Sequence, residues 1–282
     1  MPKLDRMDTK LARREAGTAA RLALDELQPT SLPIDPRDLA KLWNIPVIAK
    51  PMTEPNAVGY LDYLGNDRFE IVISDAIDNE GCLNFTIGHE LGHCFIEGHV
   101  EHLFGNGRTR HVTGAEVDST DLREVQANQF AGELLMPTSL CKPLVVDWDD
   151  GNAGLGTIKS LREACRTSLS ATANRYTKLT DLPVAMIVSS GCRVEYCLVS
   201  EELRDLLGTK YTHPQRGQPL PSHSPSETLA RNAAAVERAD EGEELDVAWK
   251  GWFGVERGRA LEQSKGLGRT GKVLTILTVN DE

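Results

Sequence analysis

Three residues that could bind a metal and transfer a proton lie within five positions of each other. His89, Glu90 and His93 form an H-E-x-x-H motif. Residues four apart on an α-helix project from the same face, so two imidazoles at this spacing can bind one metal ion. Zinc is the expected ion, because it binds His nitrogen at about 2.0–2.1 Å in a tetrahedral shell. Glu90 is then expected to take a proton from the metal-bound water.

The residues that flank the histidines favour a metal site over a structural role. With 7 histidines in 282 residues, the motif alone is expected by chance in roughly one or two such chains per hundred. The alternative is an amphipathic helix with two structural histidines. Gly88 and Gly92 argue against it, because each glycine costs a helix about 1 kcal/mol relative to alanine. Small residues at these positions indicate that another backbone approaches the helix closely.

A hydrolytic zinc site usually has three protein ligands and leaves one position for water. The candidates for the third ligand are Glu124 and the histidines His99, His102 and His111. Glu124 opens the next predicted helix, which can pack antiparallel to the metal-binding helix. Its alternative role is that of a solvated acid in the first helical turn, where the helix dipole favours negative charge.

Two further residues bear on this choice. Asn128 lies four residues after Glu124, on the same helix face, where it could hydrogen-bond a ligand imidazole and set its tautomer. His99 would match the metzincin pattern H-E-x-x-H-x-x-G-x-x-H, but that pattern needs a glycine where this chain has Ile96. If the helix continues to Glu97, His99 faces away from the metal. We therefore expect His99 to be a surface or capping residue.

Hydrophobic periodicity predicts a small sheet beside the metal-binding helix. Gly98 is expected to end that helix in a left-handed cap, and residues 99–120, which are polar and lack periodicity, are expected to form a loop. One edge strand could pair with an extended peptide. The predicted elements are helices at 8–28 and Arg37–Trp43, strands at Ile45–Lys50, Ala57–Leu64 and Arg68–Ser74 with a turn at Gly65-Asn66-Asp67, a metal-binding helix that begins near Asn79–Leu83, and a helix at Asp121–Met136.

The second half of the chain reads as a linker, a helix-turn-helix-like segment and a small C-terminal α/β domain. Its predicted elements are a linker rich in Asp and Gly at 143–156, helices at Ile158–Cys165 and Ser170–Lys178 with helix-turn-helix spacing, a hairpin of Pro183–Val188 and Cys192–Val199, a loop at 208–226, a helix at Leu229–Arg238, a strand-like run at Leu245–Phe253 and a strand at Lys272–Val279. The predicted division is into residues 1–142, 143–182 and 183–282.

Composition narrows the class of protein. The formal net charge of −11 argues against a nucleic-acid partner, since such binding depends on neutralising phosphates. No apolar run approaches the ~18 residues of a membrane span, and no signal peptide is recognised. Six scattered cysteines without a C-x-x-C pair predict reduced thiols in a cytoplasmic protein; they are Cys82, Cys94, Cys141, Cys165, Cys192 and Cys197.

The joint motifs resemble a known family. Gly-His-Glu-Leu-Gly-His at 88–93, Arg-Glu-Val-Gln-Ala-Asn-Gln-Phe-Ala at 123–131 and Leu-Leu-Met-Pro at 134–137 are similar to the ImmA/IrrE zinc metallo-endopeptidases, as is Leu-Pro-Ile-Asp-Pro at 32–36. The resemblance covers roughly residues 30–140. It implies an α+β, zincin-like peptidase domain with zinc ligands at His89, His93 and Glu124 and with Glu90 as catalytic acid and base.

The same resemblance implies the later domains and a substrate. Some family members carry a helix-turn-helix region and a GAF-like domain after the peptidase, and residues 157–180 and 183–280 have a similar order. Such members typically cleave a helix-turn-helix repressor of the XRE type and so switch on stress-response or mobile-element genes. A protein substrate of this kind, and no membrane partner, is therefore expected.

Some questions stay open at this level. Tyr60, Tyr63, His99 and His111 are all candidates for an additional donor to the oxyanion of a peptidase. One alternative function is a DNA-binding regulator with a structural zinc site, in which Arg162, Arg166, Arg175 and Lys178 would face phosphates. Another is a sensor or interaction role for 183–282, with Trp249, Trp252 and Phe253 around a ligand.

Overall fold

The computed structural model describes residues 6–54, 57–114, 121–145, 153–208, 214–255 and 258–279. The chain divides into two compact units. The first is Met1–Leu140 together with Glu163–Ser168, and the second is Cys141–Arg162 together with Leu169–Glu282. Residues 143–182, predicted as a separate segment, are thus shared between both units. The mixture of helices and two sheets confirms an α+β protein.

The first unit is built on a mixed sheet with the order β1-β3-β2-β4. Strand β1 is parallel to β3, and the other pairs are antiparallel. Its strands are β1 (Val47–Lys50), β2 (Ala57–Gly65), β3 (Arg68–Ser74) and β4 (Arg110–Gly114). The predicted turn between β2 and β3 is confirmed, with positive φ angles at Gly65, Asn66 and Asp67.

The helices of the first unit pack on this sheet through an apolar core. Residues of that core include Leu61 and Ile71 of the sheet, and Ile87 and Leu91 from the helix that carries the motif. The helices are α1 (Arg6–Leu27), α2 (Pro36–Leu42), α3 (Glu80–Phe95), α4 (His99–Phe104) and α5 (Leu122–Leu135). They agree with the predicted helices except for α4, which was not predicted. A short helix α6 (Thr138–Cys141) follows, and the first unit ends within it at Leu140.

The prediction of a loop at 99–120 is wrong for residues 99–104 and 110–114, which form α4 and β4. Residues 105–109 between them are a loop, as predicted, and residues 115–120 lie outside the described part of the chain. Strand β4 has alternating half-buried and exposed residues and is stabilised by pairing with β2, a long-range contact that local composition does not encode. Gly98 does not cap α3 either. That helix ends at Phe95, with Ile96 in an extended conformation, and Gly98 with φ 80° is the N-cap residue of α4.

The second unit contains an antiparallel sheet with the order β6-β5-β9-β8-β7. Trp249, Trp252 and Phe253 are buried in its core, which is the ordinary structural role of such residues. The strands are β5 (Val184–Ser190), β6 (Arg193–Val199), β7 (Leu245–Ala248), β8 (Arg259–Gly266) and β9 (Lys272–Val279). The helices are α7 (Leu155–Cys165), of which residues 163–165 belong to the first unit, α8 (Leu169–Leu179), α9 (Glu201–Leu207), α10 (Pro225–Arg231), α11 (Ala233–Glu237) and α12 (Trp249–Phe253).

The predictions for this unit are partly confirmed. The hairpin of β5 and β6 and the strand β9 are present. The strand-like run at Leu245–Phe253 is a strand only to Ala248 and then a short helix, and the helix at Leu229–Arg238 is two helices, separated at Asn232. Strand β8 was not predicted. The linker at 143–156 and the loop at 208–226 fall partly outside the described residues.

The two helices with helix-turn-helix spacing are present as α7 and α8, but one of the four residues that the DNA-binding alternative places against phosphates is buried. Arg175 on α8 is only 6% exposed. A recognition helix must reach into the major groove, so its side chains have to be exposed. Much of α8 is buried, including Ala173 and Tyr176, and Arg166 after α7 forms an ion pair with Glu80.

Two other sequence-based expectations can be compared with the structure. The cysteines are free thiols, as predicted. Among the described residues, no helix combines the length and the apolar character needed to cross a bilayer.

Candidate metal centre

Helix α3 holds both histidines of the motif in the interior of the first unit. Its N-terminus is capped by the side chain of Asn79, which accepts a hydrogen bond from the backbone N–H of Cys82. His89 is 3% exposed and His93 is fully buried. Buried polar side chains need partners, so the surroundings of these rings determine what they can bind.

Helix α5 approaches α3 unusually closely because Gly88 and Gly92 lack side chains. A Cβ atom at Gly92 would lie 3.1 Å from the Cα of Ala127, and one at Gly88 would lie 3.3 Å from the Cβ of Ala131. The residue numbers rise along α3 as they fall along α5, so the helices are antiparallel, as predicted. This contact brings Glu124, in the first turn of α5, opposite the two histidines.

The nitrogen and oxygen atoms of these residues converge on one point. Nε2 of His89 lies 3.1 Å from Nε2 of His93. Oε2 of Glu124 lies 3.2 Å from Nε2 of His89, and Oε1 lies 3.4 Å from Nε2 of His93. Ligands at about 2.0–2.1 Å from a tetrahedral zinc ion are separated by about 3.3–3.4 Å. The three predicted ligands therefore have the spacing of a zinc coordination shell.

A fourth side chain joins this cluster. Nε2 of His111 lies 3.4 Å from Oε1 of Glu124, and the ring centroid of His111 lies 4.7 Å from that of His93. His89, His93, His111 and Glu124 each offer one ligand atom, and these atoms all lie within 4.8 Å of one another. His111 was one of several candidates in the sequence. Its position depends on β4, the strand that was not predicted.

Electrostatics at the site couple the carboxylate to the imidazoles. Burial works against ionisation of Glu124, but its contacts with His111 and His89 outweigh burial and hold the pKa of Glu124 well below its usual range. Burial likewise opposes protonation of His89, yet Glu124 outweighs it and raises the pKa of His89. For His93, burial and the neighbouring His89 hold the pKa well below its usual value. An ionised carboxylate among imidazoles is a donor set for a cation.

Hydrogen bonds to the Nδ1 atoms of His89 and His93 orient both rings with Nε2 toward the candidate metal position. Nδ1 of His89 lies 2.9 Å from Oδ1 of Asn128, the contact suggested by the sequence. A carbonyl oxygen only accepts, so Nδ1 of His89 donates and Nε2 keeps its lone pair for a metal. Nδ1 of His93 lies 3.0 Å from Nδ1 of His99. The prediction that His99 is a surface or capping residue is therefore wrong: it is 1% exposed.

His99 reaches this position because α3 ends before it. The expectation that it faces away assumed a continuous helix, whereas the chain leaves the helix after Phe95 and turns at Gly98. His99 belongs to none of the described groups of residues that could hold a metal. It contacts Nδ1 of His93, the ring nitrogen that points away from the cluster of ligand atoms. His102, the remaining candidate ligand, is exposed and contacts Arg123.

Glu90 is fully buried next to this cluster. Neither of its carboxylate oxygens accepts a well-formed hydrogen bond from the residues that the structure describes; the Thr113 hydroxyl, likewise without a well-formed hydrogen bond, lies near enough to oppose the rise in the pKa of Glu90. Burial raises the pKa of Glu90, against the opposing effect of His89 and His111. A buried carboxyl without protein partners is costly, and a water molecule held at a metal would supply the missing partner. The orphaned oxygens, the tautomers and the ligand spacing all fit a zinc site.

The other candidates for an oxyanion donor lie elsewhere. The hydroxyl of Tyr60 hydrogen-bonds to Glu54 and to the backbone of Thr53. Tyr63 stacks on Phe104 in the apolar core, with ring centroids 5.4 Å apart. Of the four candidates from the sequence, His111 is the one that the structure places within the cluster of ligand atoms.

Comparisons with known proteins support these observations at the level of the family and the fold. The chain superposes on a Mycobacterium tuberculosis transcriptional regulator with a TM-score of 0.56 and 13% sequence identity, over 95% of this chain and 76% of that one. At this identity the likeness concerns the fold alone. No curated protein sequence matches the chain. The family model for the IrrE N-terminal-like domain, peptidase family M78, matches residues 41–175. The resemblance noted in the sequence is thus confirmed: over residues 41–175 the chain carries an IrrE N-terminal-like domain of the ImmA/IrrE family.

Proposed function

We propose that the protein is a zinc-dependent endopeptidase, with His89, His93 and Glu124 as zinc ligands and Glu90 as the catalytic acid and base. The observation that carries this proposal is the spacing of 3.1–3.4 Å among the ligand atoms of the first three residues, beside the buried carboxyl of Glu90, which accepts no well-formed hydrogen bond from the described residues. The family assignment of residues 41–175 supports a metallopeptidase-like domain.

The mechanism assigns each side chain a separate task. A bound zinc ion would polarise the scissile carbonyl and lower the pKa of a water molecule. Glu90 takes the proton of the attacking water and passes it to the leaving amine, a role that suits a carboxyl whose pKa is raised by burial. His111 donates a hydrogen bond to the developing oxyanion. Glu124 would complete the ligand set with His89 and His93, and Asn128 holds the imidazole of His89 in place.

An extended peptide is the substrate class that this geometry favours. Strand β4, which carries His111, lies at the end of the sheet order and pairs with β2 among the described residues. Its outer edge therefore offers backbone groups to a peptide in β conformation. A peptide held there would pass beside the cluster that contains His111.

The proposed substrate is a helix-turn-helix repressor of the XRE type, whose cleavage would derepress stress-response or mobile-element genes. This step rests on the resemblance to ImmA/IrrE peptidases. The net charge of −11 also favours encounter with the basic surface of a DNA-binding protein rather than with DNA itself. The free cysteines fit action in the reducing cytoplasm.

The decisive experiment combines zinc loading with cleavage. The zinc-loaded protein is incubated with purified XRE-type repressors, with and without chelator, and the products are identified by mass spectrometry. We expect one discrete cut that disappears with chelator. The Glu90→Gln variant should keep zinc but lose about 10²–10⁴-fold or more in rate, because it removes proton transfer. Repressors left intact by protein with stoichiometric zinc would contradict the proposal.

The position of His111 supports a second candidate function. If His111 were a fourth protein ligand, the shell would be closed and the zinc would be structural. The protein would then be a regulator that binds DNA or senses a ligand through its second unit, a role compatible with a fold shared with a transcriptional regulator. The burial of Arg175 counts against DNA binding by α8.

The variant His111→Ala separates the two candidates. If His111 is an oxyanion donor, zinc affinity should stay within a few-fold of the wild type while the cleavage rate falls about 10²–10³-fold. Zinc content, measured by competition with a chromophoric chelator, provides the readout. Loss of stoichiometric zinc in His111→Ala would favour the closed structural site.

A further inference from the structure

A chain of polar side chains, buried except at its outer end, leads from the metal centre to the N-terminal helix. It consists of His99 on α4, Gln126 on α5 and Glu15 on α1. His99 and Gln126 are 1% and 8% exposed, whereas Glu15 lies at the surface. Proton transfer plays no part in the proposed role of these residues. Their arrangement nevertheless constrains His93, because each link admits only one direction of donation.

The direction of hydrogen-bond donation along this chain is set first at Glu15. Its Oε2 lies 2.9 Å from Nε2 of Gln126. A carboxylate only accepts, so the Gln126 group that faces it is the NH₂ group. The carbonyl oxygen of Gln126 therefore faces His99, 3.0 Å from Nε2 of that ring. This oxygen also only accepts, so Nε2 of His99 carries a proton and donates it.

The same reasoning gives the direction of donation between His99 and the proposed metal ligand His93. With its proton on Nε2, a neutral His99 has a lone pair on Nδ1, which lies 3.0 Å from Nδ1 of His93. One proton must lie between these two nitrogens, and His93 supplies it. The lone pair of His93 is then on Nε2, the atom that lies 3.4 Å from Glu124.

We propose that His99 is a positioning residue for His93, and that Gln126 and Glu15 orient its ring so that Nε2 of His93 is presented unprotonated to the metal. The inference rests on the proposed zinc-binding role of His93. His99 does for His93 what Asn128 does for His89. Since Glu15 lies before residues 41–175, the metal centre depends on a helix outside the matched domain.

The first test reads the tautomers directly. Long-range ¹H–¹⁵N correlation spectra of the full-length ¹⁵N-labelled protein distinguish Nδ1–H from Nε2–H imidazoles. We expect His93 in the Nδ1–H form, both without metal and with zinc. In His99→Leu, the acceptor for Nδ1 is gone, so the metal-free protein should show a mixture of tautomers at His93. His89, held by Asn128, should be unchanged in the same spectrum.

The second test measures zinc affinity by chelator competition. His99→Leu should lose about 10–100-fold in affinity, the usual cost of removing the partner of a metal-bound histidine. His99→Asn has a similar size and keeps an oxygen that can accept from His93, so it should recover most of this loss. His102→Leu, on the same helix but exposed, is the matched control and should bind zinc like the wild type.

A second variant tests the loss of zinc affinity without changing the side chain that contacts His93. Gln126→Leu leaves His99 in place but removes the oxygen that sets its tautomer, so the affinity for zinc should fall although His93 keeps a neighbour. Cobalt substitution adds a readout independent of activity. The visible spectrum of the Co²⁺ protein should change in His99→Leu and Gln126→Leu but not in His102→Leu.

The outcomes separate this inference from the proposed function. A wild-type protein that binds no zinc, or binds it without cleaving any peptide, contradicts the peptidase proposal. A zinc-binding wild type with unchanged affinity, tautomer and cobalt spectrum in both His99→Leu and Gln126→Leu overturns the positioning role alone. Equal losses in His99→Leu and His99→Asn would also overturn it, because the accepting atom would then not matter.

Discussion

Glu90 and Glu124 are carboxylates beside the same histidines, yet their surroundings differ in kind. Glu124 lies 3.2–3.4 Å from three imidazole nitrogens, which hold its pKa low and keep it ionised. Glu90 accepts no well-formed hydrogen bond from the described residues, and burial raises its pKa. One carboxylate is therefore suited to bind a cation, and the other is suited to exchange a proton.

This difference predicts different effects of removing each carboxylate. Glu124→Ala should lower zinc affinity by more than about 100-fold, since loss of a mere partner of a ligand already costs 10–100-fold. Competition with a chelator measures the change. Glu97→Ala, an exposed glutamate just after α3, is the control and should be neutral. A Glu124→Ala protein that holds zinc as tightly as the wild type would remove Glu124 from the ligand set.

At the level of elements, the site depends on how closely α3 and α5 approach each other. Gly92 faces the backbone of Ala127 so closely that an added carbon atom would force one of the two helices to shift. Glu124 and Asn128, the partners of the two histidines, lie on the same stretch of α5 as Ala127. A displacement of this stretch would therefore move the carboxylate and the amide together.

A pair of glycine variants tests this dependence. Gly92→Ala should lower zinc affinity. Overpacking should destabilise the fold by about 1–3 kcal/mol, and the better helix propensity of alanine should offset up to about 1 kcal/mol of this loss. Gly132→Ala, inside α5 with nothing within 4 Å of the added carbon, should instead stabilise by about 0.4–1 kcal/mol. Urea denaturation and zinc competition on both variants provide the measurements. Unchanged zinc binding in Gly92→Ala would show that the contact is not critical.

On the scale of the whole molecule, the four side chains of the candidate metal cluster come from segments that are far apart in sequence but lie in the first unit. The histidines are on α3, Glu124 is on α5 and His111 is on β4. A metal ion that binds only the folded state stabilises it, by about 2.7 kcal/mol at one hundred times the dissociation constant. The stabilisation should be largest in the elements that supply ligands.

Hydrogen exchange followed by mass spectrometry can locate this stabilisation. Addition of zinc should slow exchange of the backbone amides of α3 and α5, and removal by chelator should reverse the effect. The strands β5 and β9 of the second unit supply no predicted ligand and should change less. His93→Ala, which removes a ligand, should abolish the zinc effect. Equal protection of both units by zinc would contradict a site confined to the first unit.

The amino-acid sequence by itself determined the local parts of this protein. H-E-x-x-H at helical spacing singled out His89, Glu90 and His93, and the flanking glycines predicted that another backbone approaches the helix closely. Capping residues and hydrophobic periodicity located most helices and strands, since these signals act over a few residues. The joint motifs favoured Glu124 through a family resemblance, whereas spacing alone left its role open.

Only the tertiary structure decided the parts that depend on long-range contacts. Strand β4 is stabilised by pairing with β2, and this pairing places His111 beside Glu124. The end of α3 at Phe95 and the turn at Gly98 bring His99 behind His93, against the expectation from a continuous helix. The link from His99 through Gln126 to Glu15 joins residues more than 80 positions apart. No local pattern encodes such contacts, because they arise when separate elements bury their polar groups against one another.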